Sequence, residues 1–175
     1  NNPSIVPKIV NGVQANIGDY PWIVKTSSRF STCTASLIYE DVVVTAAHCH
    51  GVWGDGVTIS PFAFSGSEGG AFQRKVDRQY RHKGYDYNKA TIADDIMVLR
   101  LAQPVTSVTP VEVNSDPNEP EALDTLKVIG FGLTAYGGER PEYIQEAGLL
   151  YIPQDRCDFW LEQFSNVDLN DGIMW

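Results

Sequence analysis

Short runs of hydrophobic and β-branched residues recur along the first hundred positions, and polar turn residues separate them. Runs of this length are typical of β-strands rather than helices. The segments between them, such as Ser65-Gly66-Ser67-Glu68-Gly69-Gly70, have compositions that favour turns. The predicted strands are residues 20–26, 33–38, 42–45, 57–64, 74–80 and 96–101. Short strands at hairpin spacing predict a small closed antiparallel barrel.

The pattern changes after residue 103. Residues 104–125 are rich in Pro, Ser, Asn and acidic residues, which is the composition of a linker. Two further strands are predicted at residues 126–131 and 143–152. A helix follows, because Cys157, Trp160, Leu161 and Phe164 fall at helical spacing and Pro153 suits a first helical turn. The sequence therefore predicts an all-β fold with one short helix.

Composition limits the partners of this chain. Hydrophobic residues make up 43%, which is enough for a core, and no apolar run approaches the roughly 20 residues that span a bilayer. Acidic residues outnumber basic ones by 22 to 13, for a net charge of −9, so a stripe of phosphate contacts is not expected. We therefore predict neither a nucleic-acid nor a membrane partner, and the acidity suits a soluble secreted protein. Residues 1–7 are too short and polar for a signal peptide, so any leader is expected to have been removed.

Three segments carry a family signature. They are Lys8-Ile9-Val10-Asn11-Gly12, then Thr45-Ala46-Ala47-His48-Cys49, then Asp94-Asp95-Ile96-Met97-Val98. In this order they resemble the trypsin-like serine peptidases, which have the chymotrypsin fold. The resemblance implies a chymotrypsin-like double β-barrel with a complete first barrel and a partial second one. Its domains would be a propeptide-like arm at 1–8, a first barrel at 9–103, a linker at 104–125 and a partial second barrel with its helix at 126–175.

The same resemblance assigns catalytic roles. A serine hydroxyl is not ionised near neutral pH, so it needs a base, and the base needs an acid that fixes its tautomer and stabilises the imidazolium. The resemblance gives the role of base to His48 and that of orienting acid to Asp95. Asp94 would point the opposite way along an extended strand and is predicted to face solvent. His50 and His82 have no comparable context and are predicted to be ordinary surface residues.

No serine of this sequence fits the nucleophile. The Gly-Asp-Ser-Gly-Gly motif of the family is absent from the 175 residues. Ser67 lies between His48 and Asp95, whereas the family order is His, Asp, Ser, and Ser165 follows the helix as a turn or cap residue. The attacking serine, its oxyanion hole and the specificity pocket are therefore expected outside this chain, which would be the first three-quarters of the domain.

The chain has three cysteines. The resemblance implies a disulfide between Cys33 and Cys49 beside the histidine, and leaves Cys157 for a family partner a few residues beyond the end of this chain. A zinc site of Cys33, His48, Cys49 and His50 is the alternative. Three adjacent residues cannot easily converge on one tetrahedral ion, so we predict no metal and no cofactor.

The bond between Lys8 and Ile9 resembles the activation site of the family, where cleavage frees an amine that folds inward. The alternative is an ordinary lysine in an extended arm.

The predicted function is a secreted trypsin-like serine endopeptidase in zymogen or truncated form, acting on protein or peptide substrates. A C-terminal fragment or a partner chain would complete the second barrel. The alternative is a non-catalytic homologue that serves as a binding or inhibitory module. Whether these residues alone form an enzyme stays open.

Overall fold

The computed structural model describes residues 12–16, 18–27, 32–50, 57–59, 72–86, 93–133 and 141–164. Apart from one helix and a short 3-10 turn at Ala47–Cys49, the regular elements of these residues are strands, so the predicted all-β fold with one short helix is confirmed. The strands are β1 Val13–Gln14, β2 Ile23–Ser27, β3 Thr32–Tyr39, β4 Val42–Thr45, β5 Val57–Ile59, β6 Phe72–Arg74, β7 Val76–Arg81, β8 Met97–Leu101, β9 Thr125–Gly130 and β10 Gln145–Leu150. The helix α1 is Gln154–Phe164.

Seven strands form the first sheet, in the order β6-β5-β2-β3-β4-β8-β7, and all its pairings are antiparallel. The single strand predicted at 74–80 is two strands, separated by Lys75. β6 pairs with β5, and β7 pairs with β8 at the opposite edge of the sheet. The two edges therefore meet at Lys75, so the sheet curls on itself. Among the described residues, hydrogen bonds do not close it into the predicted barrel.

Alternation along the strands builds the core of this sheet. In β8, Met97, Leu99 and Leu101 are buried while Arg100 is exposed. Leu37 and Val43 from the neighbouring strands join the same cluster. Burying a side chain of this size contributes roughly 1.5–3 kcal/mol, so this cluster stabilises the pairing of β4 with β8.

A second sheet has three strands, in the order β1-β10-β9. β1 lies near the start of the chain, yet Gln14 pairs with Gln145 across about 130 positions. The sequence did not predict this strand. Ala15, Ile23, Phe131 and Ile144 form a separate buried cluster beside it.

One face of the second sheet exposes apolar side chains. Leu126 lies directly opposite Leu149, and Val128 follows on the same face, because side chains two positions apart point the same way. These three residues are 42%, 55% and 39% exposed. We call Leu126, Val128 and Leu149 the open apolar face.

The segment between the sheets, residues 102–124, is fully described and contains no strand or helix. It nevertheless contacts the first sheet closely. Val105 is buried, and its N–H donates to the carbonyl of Glu40 at 2.6 Å. The N–H of Val111 donates to the carbonyl of Leu37 at 2.9 Å. The backbone of this segment is therefore fixed against β3.

The predicted helix is confirmed as α1, which begins one residue after Pro153. The carbonyl of Pro153 accepts the N–H groups of Arg156 and Cys157. Only residues 57–59 of the strand predicted at 57–64 are described. Lys8, Ile9, Ser67 and Ser165 lie outside the described residues, as does the region beyond residue 164.

Candidate active site

Strand pairing brings His48 and Asp95 to the same end of the first sheet. β4 ends at Thr45, which pairs with Met97, the first residue of β8. The chain therefore leaves β4 where it enters β8, since the two strands are antiparallel. His48 comes three residues after Thr45, and Asp95 comes two residues before Met97. This pairing explains why residues 47 positions apart can meet.

A single 3-10 turn, Ala47–Cys49, presents the histidine. The side chains of Ala47 and Cys49 are buried in the core on either side of it, whereas the His48 side chain is 51% exposed. Cys49 also forms a disulfide with Cys33 of β3. Two buried neighbours and a covalent bond thus fix the backbone from which an exposed imidazole projects.

Both oxygens of the Asp95 carboxylate are hydrogen-bonded by His48. Oδ2 lies 2.6 Å from the ring Nδ1, and Oδ1 accepts the backbone N–H of His48 at 2.7 Å. The Asp95 side chain is 14% exposed, so water competes little for these oxygens. A carboxylate only accepts hydrogen bonds, so the contact favours the tautomer with its proton on Nδ1. The lone pair of Nε2 is then free to take a proton.

The Asp94 side chain is 44% exposed, as predicted, but the reason given for that prediction was wrong. Its backbone φ is 59°, and its carboxylate oxygen Oδ1 lies 3.3 Å from Nδ1 of His82. The prediction assumed an extended strand at this position, but β8 begins only at Met97. Residues 93 and 94 form a turn instead. His82 is exposed, as predicted for a surface residue, and its ring lies beside the Asp94 carboxylate.

The predicted disulfide between Cys33 and Cys49 is confirmed, and Cys157 is a free cysteine. Potential ligand atoms of Cys33, His48 and Cys49 lie within 4.8 Å of one another. The disulfide, however, leaves neither sulfur as a thiolate, which is the form that binds zinc. The alternative zinc site would therefore require reduction of this bond.

Removing the disulfide should destabilise the protein. We expect Cys33→Ala, Cys49→Ala and the double variant each to lower the free energy of unfolding by about 3 kcal/mol, because each loses the same cross-link. Denaturant unfolding of the three variants and the parent measures this. Losses in the single variants that add up in the double variant would show that the cysteines contribute separately, contrary to a shared bond.

A polar cluster joins the two sheets, and no local sequence pattern predicted it. The hydroxyl of Tyr20, just before β2, donates a hydrogen bond to the carboxylate of Glu146 on β10. Lys127 Nζ on β9 lies 3.3 Å from Glu146 Oε1. The bond from Tyr20 is the main cause that lowers the pKa of Glu146, and it also raises the pKa of Tyr20. Because the Glu146 pKa is lowered by folding, its contribution to stability is present at neutral pH. It is lost as the pH falls through that lowered pKa.

A β fold of this kind, with a histidine and an aspartate paired where two core strands end, is the arrangement of a class of peptide hydrolases. Residues 9–171 match the Trypsin family, and the chain therefore belongs to the family of trypsin-like serine proteases.

Two known proteins illustrate the similarity. Transmembrane protease serine 9 of Rattus norvegicus is 31% identical over 180 residues, which cover 98% of this chain. This chain spans only 17% of the length of that relative. Neuropsin, a serine protease expressed in the limbic system of mouse brain, superposes with a TM-score of 0.75 at 20% identity. The superposition covers 86% of this chain and 68% of neuropsin, and it confirms the chymotrypsin-like fold. In the part of the chain that the structure describes, no helix has the length and apolar character needed to cross a membrane.

Proposed function

We propose that this protein is a secreted trypsin-like serine endopeptidase in which His48 is the general base and Asp95 its orienting acid. The attacking serine would lie outside these 175 residues. The observation that carries the proposal is the 2.6 Å contact between His48 Nδ1 and Asp95 Oδ2. A second contact, from the backbone of the same histidine to the other carboxylate oxygen, supports it.

The proposed mechanism uses the two nitrogens of His48 differently. Nε2 takes the proton of the serine hydroxyl while the hydroxyl oxygen attacks the scissile carbonyl. The imidazolium that forms is stabilised by Asp95, which stays ionised, and it then gives the proton to the leaving amine. Water, activated by the same base, hydrolyses the acyl intermediate. Because Asp95 is bonded to both the ring and the backbone of His48, the imidazole is oriented before substrate binds.

We also propose that the bond between Lys8 and Ile9 is an activation site and that residues 1–8 are a propeptide. The family match begins at residue 9, directly after this lysine. β1 starts only four residues later and pairs with β10 in the second sheet. An amine freed at Ile9 would lie four residues before β1 along the chain.

We further propose that residues 126–175 are part of a second barrel, joined by a linker at 104–125 to a first barrel at 9–103. A C-terminal segment or a partner chain would complete it by packing on the open apolar face. Three aliphatic side chains on adjacent strands, each at least 39% exposed, are costly in water and invite aggregation. The substrate would be a protein or peptide. The net charge of −9 gives no basis for a nucleic-acid partner.

A comparison of two forms tests this function. Residues 1–175 alone should neither hydrolyse peptides nor react with a fluorophosphonate, because base and acid are present without a nucleophile. The complete protein, cut after Lys8, should do both. Labelling of the short form would contradict the assignment of the nucleophile. A complete and correctly cleaved protein that stays unlabelled would contradict the enzyme and favour a non-catalytic homologue.

A further inference from the structure

The turn that leads into Asp95 has an unusual backbone. Asp94 has a φ of 59°, in the left-handed region, and its carbonyl accepts the N–H of Ile96 at 2.8 Å. Aspartate tolerates this conformation better than most residues. Sparsely populated backbone conformations persist only where the surrounding structure holds them. The left-handed backbone of Asp94 therefore depends on neighbouring residues.

Two residues that follow β7, His82 and Gly84, lie beside Asp94. Nδ1 of His82 lies 3.3 Å from Asp94 Oδ1 and 3.2 Å from the backbone nitrogen of Gly84. The ring donates to Asp94 when Nδ1 carries a proton and accepts the Gly84 N–H when it does not. The other carboxylate oxygen occupies the space above Gly84, where a Cβ atom would come within 2.0 Å of Asp94 Oδ2. The absence of a side chain at position 84 is thus what lets the Asp94 carboxylate reach His82.

His82 contacts the chain on both sides of Asp95. Its side chain lies against Asp94, and its backbone N–H donates to the carbonyl of Ile96 at 3.0 Å. Asp94 and Ile96, the residues before and after Asp95, are therefore both in contact with His82. Between these two attachments, the Asp95 carboxylate makes both of its contacts with His48.

We propose that Asp94 is a positioning residue. Its contact with His82, in the space over Gly84, orients the Asp95 carboxylate toward His48. This inference rests on the proposed function, because it concerns the same pair of residues. If residue 94 relaxed to an extended backbone, the chain on either side of it would rotate, and the Asp95 carboxylate would turn away from the imidazole. The Asp94 carboxylate lies beside His82, so its proposed effect is on the geometry of Asp95.

Four variants of the complete, activated protein separate geometry from charge. Asp94→Ala removes the anchor and the tolerance of a left-handed backbone. Gly84→Ala displaces the carboxylate without changing Asp94. Asp94→Asn keeps a side chain that tolerates this backbone and can bond to His82. Asp77→Ala, on β7, removes an exposed acid of the same charge and is the control.

We expect Asp94→Ala and Gly84→Ala to lower kcat by roughly tenfold to a hundredfold, the range for a small misplacement of catalytic groups, with KM nearly unchanged. Asp94→Asn and Asp77→Ala should keep the kcat of the parent. A second readout is the low-field proton resonance of His48 Nδ1–H, recorded by NMR on the uncleaved protein. It should shift or broaden in Asp94→Ala and Gly84→Ala and stay unchanged in the other two.

Several results would overturn the proposal. One is a parent-like kcat and a parent-like proton resonance in both Asp94→Ala and Gly84→Ala. Another is an equal loss in Asp77→Ala, which would indicate a general effect of charge. If Asp94→Ala does not fold, the kcat and the proton resonance of Gly84→Ala, compared with those of the parent, test the proposal. A parent protein without peptidase activity would contradict the proposed function instead, and the NMR comparison would then decide about Asp94 by itself.

Discussion

Replacing His48 with alanine in the complete, activated protein is expected to lower kcat by several orders of magnitude. A hydrolase of this kind that lacks one triad member keeps only about 10³–10⁴-fold acceleration over the reaction in water. Asp95→Asn should lower kcat by about 10⁴-fold, because an amide no longer selects the tautomer with its proton on Nδ1. KM should change little in both variants, since neither residue is proposed to bind the ground-state substrate.

The matched control is His50→Ala. His50 is exposed and lies two positions from His48, so it tests whether any histidine near the turn matters. Its kcat should equal that of the parent. Steady-state kinetics on a peptide substrate, with unfolding curves to show that each variant is folded, measure these effects. Undiminished turnover by the His48→Ala variant would exclude the mechanism.

Blocking cleavage at Lys8 is expected to keep the protein inactive. A protease that cuts after lysine should convert the complete parent to an active form whose new N-terminus reads Ile9-Val10. Lys8→Gln should resist this conversion and show the residual activity of the uncut protein, because no amine is freed to fold inward. Activity before and after treatment, together with N-terminal sequencing, measures the effect.

Lys75→Gln is the control for this experiment, because it removes a lysine between β6 and β7 and leaves Lys8 in place. It should be activated as the parent is. Full activity in uncleaved Lys8→Gln would mean that residues 1–8 are an ordinary N-terminal arm.

Local pattern predicted the central strands well. Residues 42–45 are a β-branched run followed by two alanines, and β4 has the predicted bounds. Val43 of this run is buried in the core. The contact between His48 and Asp95 was implied by the family resemblance. Strand pairing explains it, since Thr45 lies opposite Met97.

Features set by distant parts of the chain were not predictable in the same way. β1 has two residues, too few for a period, and it is a strand only because β10 pairs with it. The bond between Tyr20 and Glu146 spans 126 positions and has no local signal. The left-handed backbone of Asp94 was not predicted, because strand alternation was extended into a turn. The break at Lys75 arises because one segment pairs with two different strands.

The central claim is that His48 and Asp95 activate a serine that lies outside these 175 residues. The most direct measurement is the rate of phosphonylation of the complete, activated protein by a fluorophosphonate, followed by peptide mapping of the labelled residue. We expect one label, on a single serine outside residues 1–175, and loss of labelling in both His48→Ala and Asp95→Asn. A label on Ser67 or Ser165, or undiminished labelling of His48→Ala, would contradict the claim.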